Sequence, residues 1–280
     1  MKNVIDAIKT LVRRNNFNLS NSSVGNNRAN SMGAALENYT KNLFADTFDC
    51  SETERFERWA KIFSYIGNNN NPPDFMLKCG DAVEVKKIES NDAALALNSS
   101  CPKHTLKSSS TLISSACRDA ENWSQKDMLY VVGVVASGKI KHLCMIYGRD
   151  YCASAECYER IRQKIKDGVE TINGVEFAPT RELGRVNRVD PLGITYFRIR
   201  GMWHIENPWR VFDYVYRRNF QAAFNFVCII NREKWLTLNN REELVALQDN
   251  RPALKVLEVK IKNPDNPAKL LDAKLIHYEI

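Results

Sequence analysis

The chain has 280 residues, 44% of them hydrophobic and 26% charged, so it can bury a sizeable core and is not a disordered polymer. Its formal net charge of +7 permits an anionic partner without specifying one. No apolar run approaches the roughly eighteen residues a membrane span needs, so no membrane partner is expected.

Residues 1–14 interrupt apolar positions with charges at helical spacing, which predicts an amphipathic helix and not a signal peptide. Residues 15–30 are rich in Asn and Ser and read as a loop. Residues 34–44 regain helical periodicity, with Leu36, Tyr39, Leu43 and Phe44 on the apolar side. Residues 67–73, a glycine followed by four asparagines and two prolines, predict a turn. Strands are expected over 74–78 and 82–88, joined by Cys79, Gly80 and Asp81. Residues 109–123 read as helical. Residues 128–136 form a buried strand, which Ser137, Gly138 and Lys139 turn into an antiparallel neighbour over 140–147. A helix over 153–166 follows. Further on, 194–200 reads as a strand, 208–216 opens a helix, and 224–230 and 254–262 are strands. Together they predict a layered α/β (α+β) fold.

The eight cysteines are scattered and form no Cys-x-x-Cys pair, so zinc-ribbon and thioredoxin readings fail on spacing. Reduced thiols packed as small hydrophobes fit better, and they favour the cytoplasm. His104, His142, His204 and His277 lie far apart, without His-metal nuclease spacing, and no Walker loop is present.

The chemistry concentrates in one segment: Pro73-Asp74, a gap holding a turn, then Glu84-Val85-Lys86. Residues two apart on a strand share a face, so Glu84 and Lys86 point together while Val83 and Val85 pack inward. Asp74 can sit beside Glu84 across the hairpin. Two adjacent carboxylates repel, and a hard cation such as Mg²⁺ relieves the repulsion. Such a site can hold a scissile phosphate and acidify a bound water, with Lys86 orienting the nucleophile or stabilising the transition state. Glu37, on the preceding helix, is the natural further ligand. The tripeptide recurs at Glu258-Val259-Lys260, but no Pro-Asp lies upstream of it, and this copy reads as a solvated strand face.

Residues 68–74 (Asn-Asn-Asn-Asn-Pro-Pro-Asp), 80–90 (Gly-Asp-Ala-Val-Glu-Val-Lys-Lys-Ile-Glu-Ser) and 94–100 (Ala-Leu-Ala-Leu-Asn-Ser-Ser) resemble the NgoPII-type family of type II restriction endonucleases. The likeness extends through 147–154, 183–191, 200–203 and 206–209, and covers most of residues 27–209. It implies the αβββαβ core of the PD-(D/E)xK nucleases, with a mixed central sheet flanked by helices and C-terminal elaborations. It also implies a homodimer cutting both strands of double-stranded DNA at a short palindrome, GGCC for this family, with Mg²⁺. A host then needs a cognate DNA methyltransferase. The family's Asp, Glu and Lys fall on Asp74, Glu84 and Lys86. The whole chain is expected to be a single domain, with a catalytic core over about 31–167 and elaborations for DNA recognition and dimerisation over about 168–280.

Two groups are candidates for DNA contact. Asn98, Ser99, Ser100 and Lys103 follow the catalytic strand and suit phosphates. Arg185, Asn187, Arg188, Arg198 and Arg200 lie in an arginine- and aromatic-rich stretch, and arginine is the usual reader of guanine. Some of these arginines could instead pair with Glu182, Asp190 and Glu206 on the surface. Two rival readings stand beside this one: a repair or recombination nuclease on the same core, and a basic DNA-binding protein without catalysis.

Overall fold

The computed structural model describes residues 1–19, 28–68 and 71–280. The chain opens with α1 (Val4–Arg14), capped by Asn3 and Asp6, which close a reciprocal pair of side-chain to backbone bonds. Helices α2 (Arg28–Ala45) and α3 (Glu52–Ile62) follow. Three strands come next, β1 (Phe63–Asn68), β2 (Asn71–Leu77) and β3 (Ala82–Ile88), then short β4 (Leu95–Asn98) and β5 (Thr105–Lys107). After the single turn α4 (Ser115–Arg118) run the long strands β6 (Gln125–Ala136) and β7 (Lys139–Tyr147). The sequence continues through α5 (Gly148–Tyr151), α6 (Ala155–Glu170), β8 (Gly184–Val186), β9 (Phe197–Ile199), β10 (Trp203–Ile205) and α7 (Pro208–Val211). It ends with β11 (Asn225–Asn231), α8 (Arg232–Thr237), α9 (Arg241–Asp249) and the hairpin of β12 (Leu254–Asn263) and β13 (Asn266–Glu279).

The main sheet runs β1-β2-β3-β6-β7-β11-β13-β12, with β5 added alongside β6. It is mixed. Strands β3 and β6 are parallel, as are β7 and β11, and the other neighbours along this path are antiparallel. Side chains alternate along β6. Leu129, Val131 and Val135 join one core with α1, α2 and the Trp59 ring, while Met128, Tyr130, Val132 and Val134 join a second core on the opposite face. The sheet is therefore covered on both sides, and β6 is almost continuously apolar as a central strand must be.

Expected strands and helices form over most of the first 170 residues. Five expectations need correction. Residues 67–73 are not all turn: β1 runs through Asn68 and β2 begins at Asn71, with those two residues paired. Only residues 69–70 lie between the strands, outside the described part. Proline at the start of a strand gives up no ladder bond the sheet needs. Residues 109–123 are helical only at α4, because serines divert the backbone: Ser110 accepts from the Leu112 amide and Ser114 from that of Cys117. Residues 194–200 shrink to β9, since the Asp190 carboxylate holds the Leu192 and Thr195 amides in a turn. Residues 208–216 yield one helical turn, α7, capped by Asn207. The loop expected over 15–30 is interrupted by the start of α2 at Arg28, and residues 20–27 lie outside the described part. All eight cysteines are free, and four are buried.

Gly148 shows how tightly the sheet end is packed. A Cβ there would collide with the carbonyl oxygen of Lys103 and lie 2.7 Å from that of His104. Gly148→Ala is expected to destabilise the fold by about 1–3 kcal/mol. It should also displace the 99–103 loop, and chemical denaturation measures the first effect.

Candidate active site

Asp74 lies on β2, and Glu84 and Lys86 lie on β3. The β2–β3 register pairs Phe75 with Val83 and Met76 with Ala82. Val83 is fully buried and Val85 packs against the same core, so the alternation expected for this strand holds. The Lys86 ammonium lies 2.7 Å from Glu84 Oε1. The Val85 amide donates to Asp74 Oδ2 at 2.6 Å, which fixes the Asp74 carboxylate against β3. The structure thus brings together the three residues singled out from the sequence.

Glu37 projects from α2 and accepts from Lys41 at 2.9 Å. Its charge still reaches the cluster, raising the pKa of both Asp74 and Lys86. Burial pushes the Asp74 carboxyl up to about 8, with Glu84 and then Glu37 adding repulsion. Burial alone would lower the Lys86 ammonium, but Glu84, Asp74 and Glu37 outweigh it, and the pKa rises. Lys86 is therefore charged at neutral pH.

Two features fit a cation here. Glu84 Oε2 is buried with no hydrogen-bond partner, and burial together with repulsion from Glu84 and Glu37 raises the Asp74 pKa, a shift that a bound cation would oppose. The donor set is all oxygen, as Mg²⁺ prefers. Among the described residues, however, no group of three His, Cys, Asp or Glu side chains is already arranged to hold a metal ion.

Asn98 ends β4 with a left-handed backbone (φ 52°), and Ser99 follows it on the surface. Ser100, Cys101 and Lys103 line a small cleft with Pro72, Glu84 and Tyr130. The Ser100 hydroxyl is buried without a partner. Tyr130, on β6 opposite Glu84, accepts from the Lys103 amide at 2.7 Å and so anchors this loop beside Glu84. Sequence reading did not single Tyr130 out: within an apolar run it looks like any core aromatic.

Arg185 and Arg198 lie opposite each other on the two-stranded ribbon of β8 and β9. Arg185 donates to Asn187 Oδ1 at 2.9 Å, and Arg198 makes two bonds of 2.7 Å to Glu182. Arg200 donates to the same Glu182 at 2.5 Å. Arg188 (φ 53°) sits by the loop joining the strands, across from Gly193. Pairing with acids, raised from the sequence as an alternative, thus applies to Arg198 and Arg200. It also applies to Arg210, which lies 3.6 Å from Glu206. The second Glu-Val-Lys copy faces solvent on β12, with Glu258 paired to Lys274 and Lys260 to Asp272.

A mixed α/β protein that gathers two carboxylates and an amine on neighbouring strands is equipped for hydrolysis. The comparison with known proteins narrows this. Residues 2–262 match the model of the NgoPII restriction endonuclease family. Over 279 residues, 99% of this chain and 100% of the relative, the sequence is 56% identical to the Type II restriction enzyme NgoPII of Neisseria gonorrhoeae. The chain therefore belongs to the NgoPII restriction endonuclease family and is a type II restriction endonuclease. Both rival readings, the repair nuclease and the non-catalytic binder, are set aside. No solved structure matches it. Among the described residues, no helix is long and apolar enough to cross a membrane.

Proposed function

We propose that the chain is a Mg²⁺-dependent PD-(D/E)xK nuclease that acts as a homodimer, in the cytoplasm of a bacterium, on a short palindrome in double-stranded DNA. GGCC is the proposed site. The convergence of Asp74, Glu84 and Lys86, with one Glu84 oxygen buried and unpartnered, carries this reading. The proposed core is α3, the β1–β2–β3 meander, the α4 crossover and the parallel strand β6. The proposed single domain places this core within residues 31–167 and recognition and dimer contacts in 168–280.

Asp74 and Glu84, with Glu37 as near neighbour, would hold the cation, which supplies charge neutralisation at the scissile phosphate and a more acidic water. Lys86 then acts through its ammonium, donating a hydrogen bond to the attacking water or to a phosphate oxygen and stabilising the charge that develops in the transition state. Val85 keeps Asp74 in place through its amide. Asn98, Ser99, Ser100 and Lys103 contact the DNA backbone beside the cut, and Arg185, Asn187, Arg188, Arg198 and Arg200 contact the site itself. Two-fold symmetry matches a palindrome, one subunit for each strand. A cognate DNA methyltransferase protects the host at the same sequence.

Digestion of a mapped plasmid, followed by sequencing of the ends, tests the reading. Discrete fragments ending at GGCC are expected with Mg²⁺, and none with a chelator. Random degradation, or cutting that ignores the chelator, would refute it.

The metal-free protein offers a second check. Asp74 binds a proton in the fold up to about pH 8, but in the unfolded chain only up to about its ordinary value of 3.8. Between those values the native state holds the extra proton, so stability falls as pH rises through this window. Asp74→Asn removes the buried charge and should make the metal-free protein roughly 1–3 kcal/mol more stable at pH 8 than wild type, while cleavage is lost. Melting curves at pH 5 and 8, with and without Mg²⁺, measure this. A variant that melts below wild type at pH 8 would contradict it.

A further inference from the structure

We infer that the β8–β9 ribbon is the element that enters the major groove, with Arg185 and Arg198 reading guanine edges and Glu182 setting the arginines in position. This rests on the nuclease reading above and goes further, naming the groove, the reading element and a positioning residue.

The ribbon has two unlike faces. Gly184 is buried, and a Cβ there would meet Val169 at 2.9 Å and Phe177 at 3.2 Å, so that end of this face packs against the rest of the chain, while Phe197 farther along the same side is exposed. Val186 and Ile199 are half-buried on the same side. The opposite face carries Arg185 directly across from Arg198, flanked by Tyr196 and Arg200 two residues to either side. Arg198 and Arg200 are each 54% exposed. The Arg185 guanidinium lies 5.5 Å over the Tyr196 ring, which fixes its plane.

Charge identifies the occupant. Four arginines, Arg185, Arg188, Arg198 and Arg200, stand in this stretch against two carboxylates: Glu182, which pairs with Arg198 and Arg200, and Asp190, which accepts from the amides of its own turn, so positive charge is in excess. A second copy of this face would meet it with like charge. A DNA duplex meets it with the opposite sign, and a two-stranded ribbon is one of the two protein elements the major groove admits.

Glu182 does not cancel this face. It holds Arg198 by two parallel bonds and Arg200 by one, so both forks are ordered before DNA arrives. The ribbon is also tied to the cutting centre. Only Arg200, Gly201 and Met202 separate β9 from β10, whose Trp203 pairs with Asn98 at the start of the loop bordering Glu84.

The test compares three versions of one amplified fragment: natural, with 7-deazaguanine, and with inosine replacing guanine. The first replacement removes the N7 acceptor from the major groove, and the second removes only the minor-groove amino group. Under subsaturating single-turnover conditions, wild type should cut the 7-deazaguanine fragment at least about tenfold slower than natural DNA, and the inosine fragment at nearly the natural rate. Arg185→Ala and Arg198→Ala should slow cutting of natural DNA by about tenfold or more, and each should lose part of the sensitivity to 7-deazaguanine. Glu182→Gln should weaken discrimination between natural and 7-deazaguanine DNA while leaving thermal unfolding unchanged. The inference is overturned if wild type cuts 7-deazaguanine DNA at the natural rate, or if inosine is the replacement it resists. It is also overturned if both arginine variants keep wild-type rate and sensitivity. Failure to cut natural DNA at all would instead remove the nuclease reading, and this inference with it.

Discussion

Replacing Lys86 with alanine is expected to lower the single-turnover cleavage rate by about 10²–10³-fold while leaving binding of duplex DNA nearly intact. The Lys86 ammonium lies 2.7 Å from Glu84 and three-quarters buried, where a charge interacts more strongly than in water. Its raised pKa keeps it charged across the neutral range, so alanine removes a full positive charge from the place where negative charge develops. Ground-state binding draws mainly on surface arginines and lysines elsewhere, so affinity should change little. The variant also leaves Glu84 with neither oxygen paired, and Mg²⁺ should therefore raise its melting temperature more than it raises that of wild type. Retention of full Mg²⁺-dependent cleavage by Lys86→Ala would end the assignment of this lysine.

Lys234→Ala is expected to destabilise the fold by about 3–5 kcal/mol. This lysine, on α8, lies 2.6 Å from Asp81 and 2.8 Å from Asp127, with only 14% of its side chain exposed. It joins the β2–β3 turn to the start of β6. Tyr147 donates to Asp81 at 2.7 Å, and Arg149 to Asp127 at 2.7 Å. Alanine leaves two part-buried carboxylates that have lost their shared cation. Burial alone would raise the Asp127 pKa, but Lys234 and Arg149 outweigh it, and the carboxyl sits below its ordinary value of 3.8. The stabilisation is therefore present above that ordinary value and is lost as pH falls through the depressed one. The gap between wild type and variant in urea unfolding should be widest near neutrality and should narrow in acid. A gap under about 1 kcal/mol at pH 7 would mean that the cluster behaves as an exposed surface pair.

The candidate site was legible because its geometry is local. Glu84 and Lys86 share a face through the two-residue period of one strand, and Asp74 reaches them across a four-residue turn. The distinction between the two Glu-Val-Lys copies was legible for the same reason: only the first has an aspartate on the strand before it, whereas Glu258 and Lys260 pair at the surface with Lys274 and Asp272 from the strand that follows. Less legible were segments where side chains compete with the backbone. Serines at 110 and 114 hold residues 109–123 out of a continuous helix although the apolar spacing suits one. Strand β13 escaped reading because its first half is exposed and charged, and it becomes a strand by pairing with β12 and β11.

From its order of residues alone, the chain determined which strand carries the acid and the amine, which loop follows them, and which stretch is rich in arginine. Only the folded arrangement decided that Tyr130 anchors the loop beside Glu84, that Lys234 bridges Asp81 and Asp127 from more than a hundred residues away, and that Glu182 gathers two of the arginines on one face of a ribbon. The division has a physical cause. Backbone periodicity acts over a few residues and is written into neighbouring positions, whereas burial and charge pairing depend on which distant segments the sheet brings into contact.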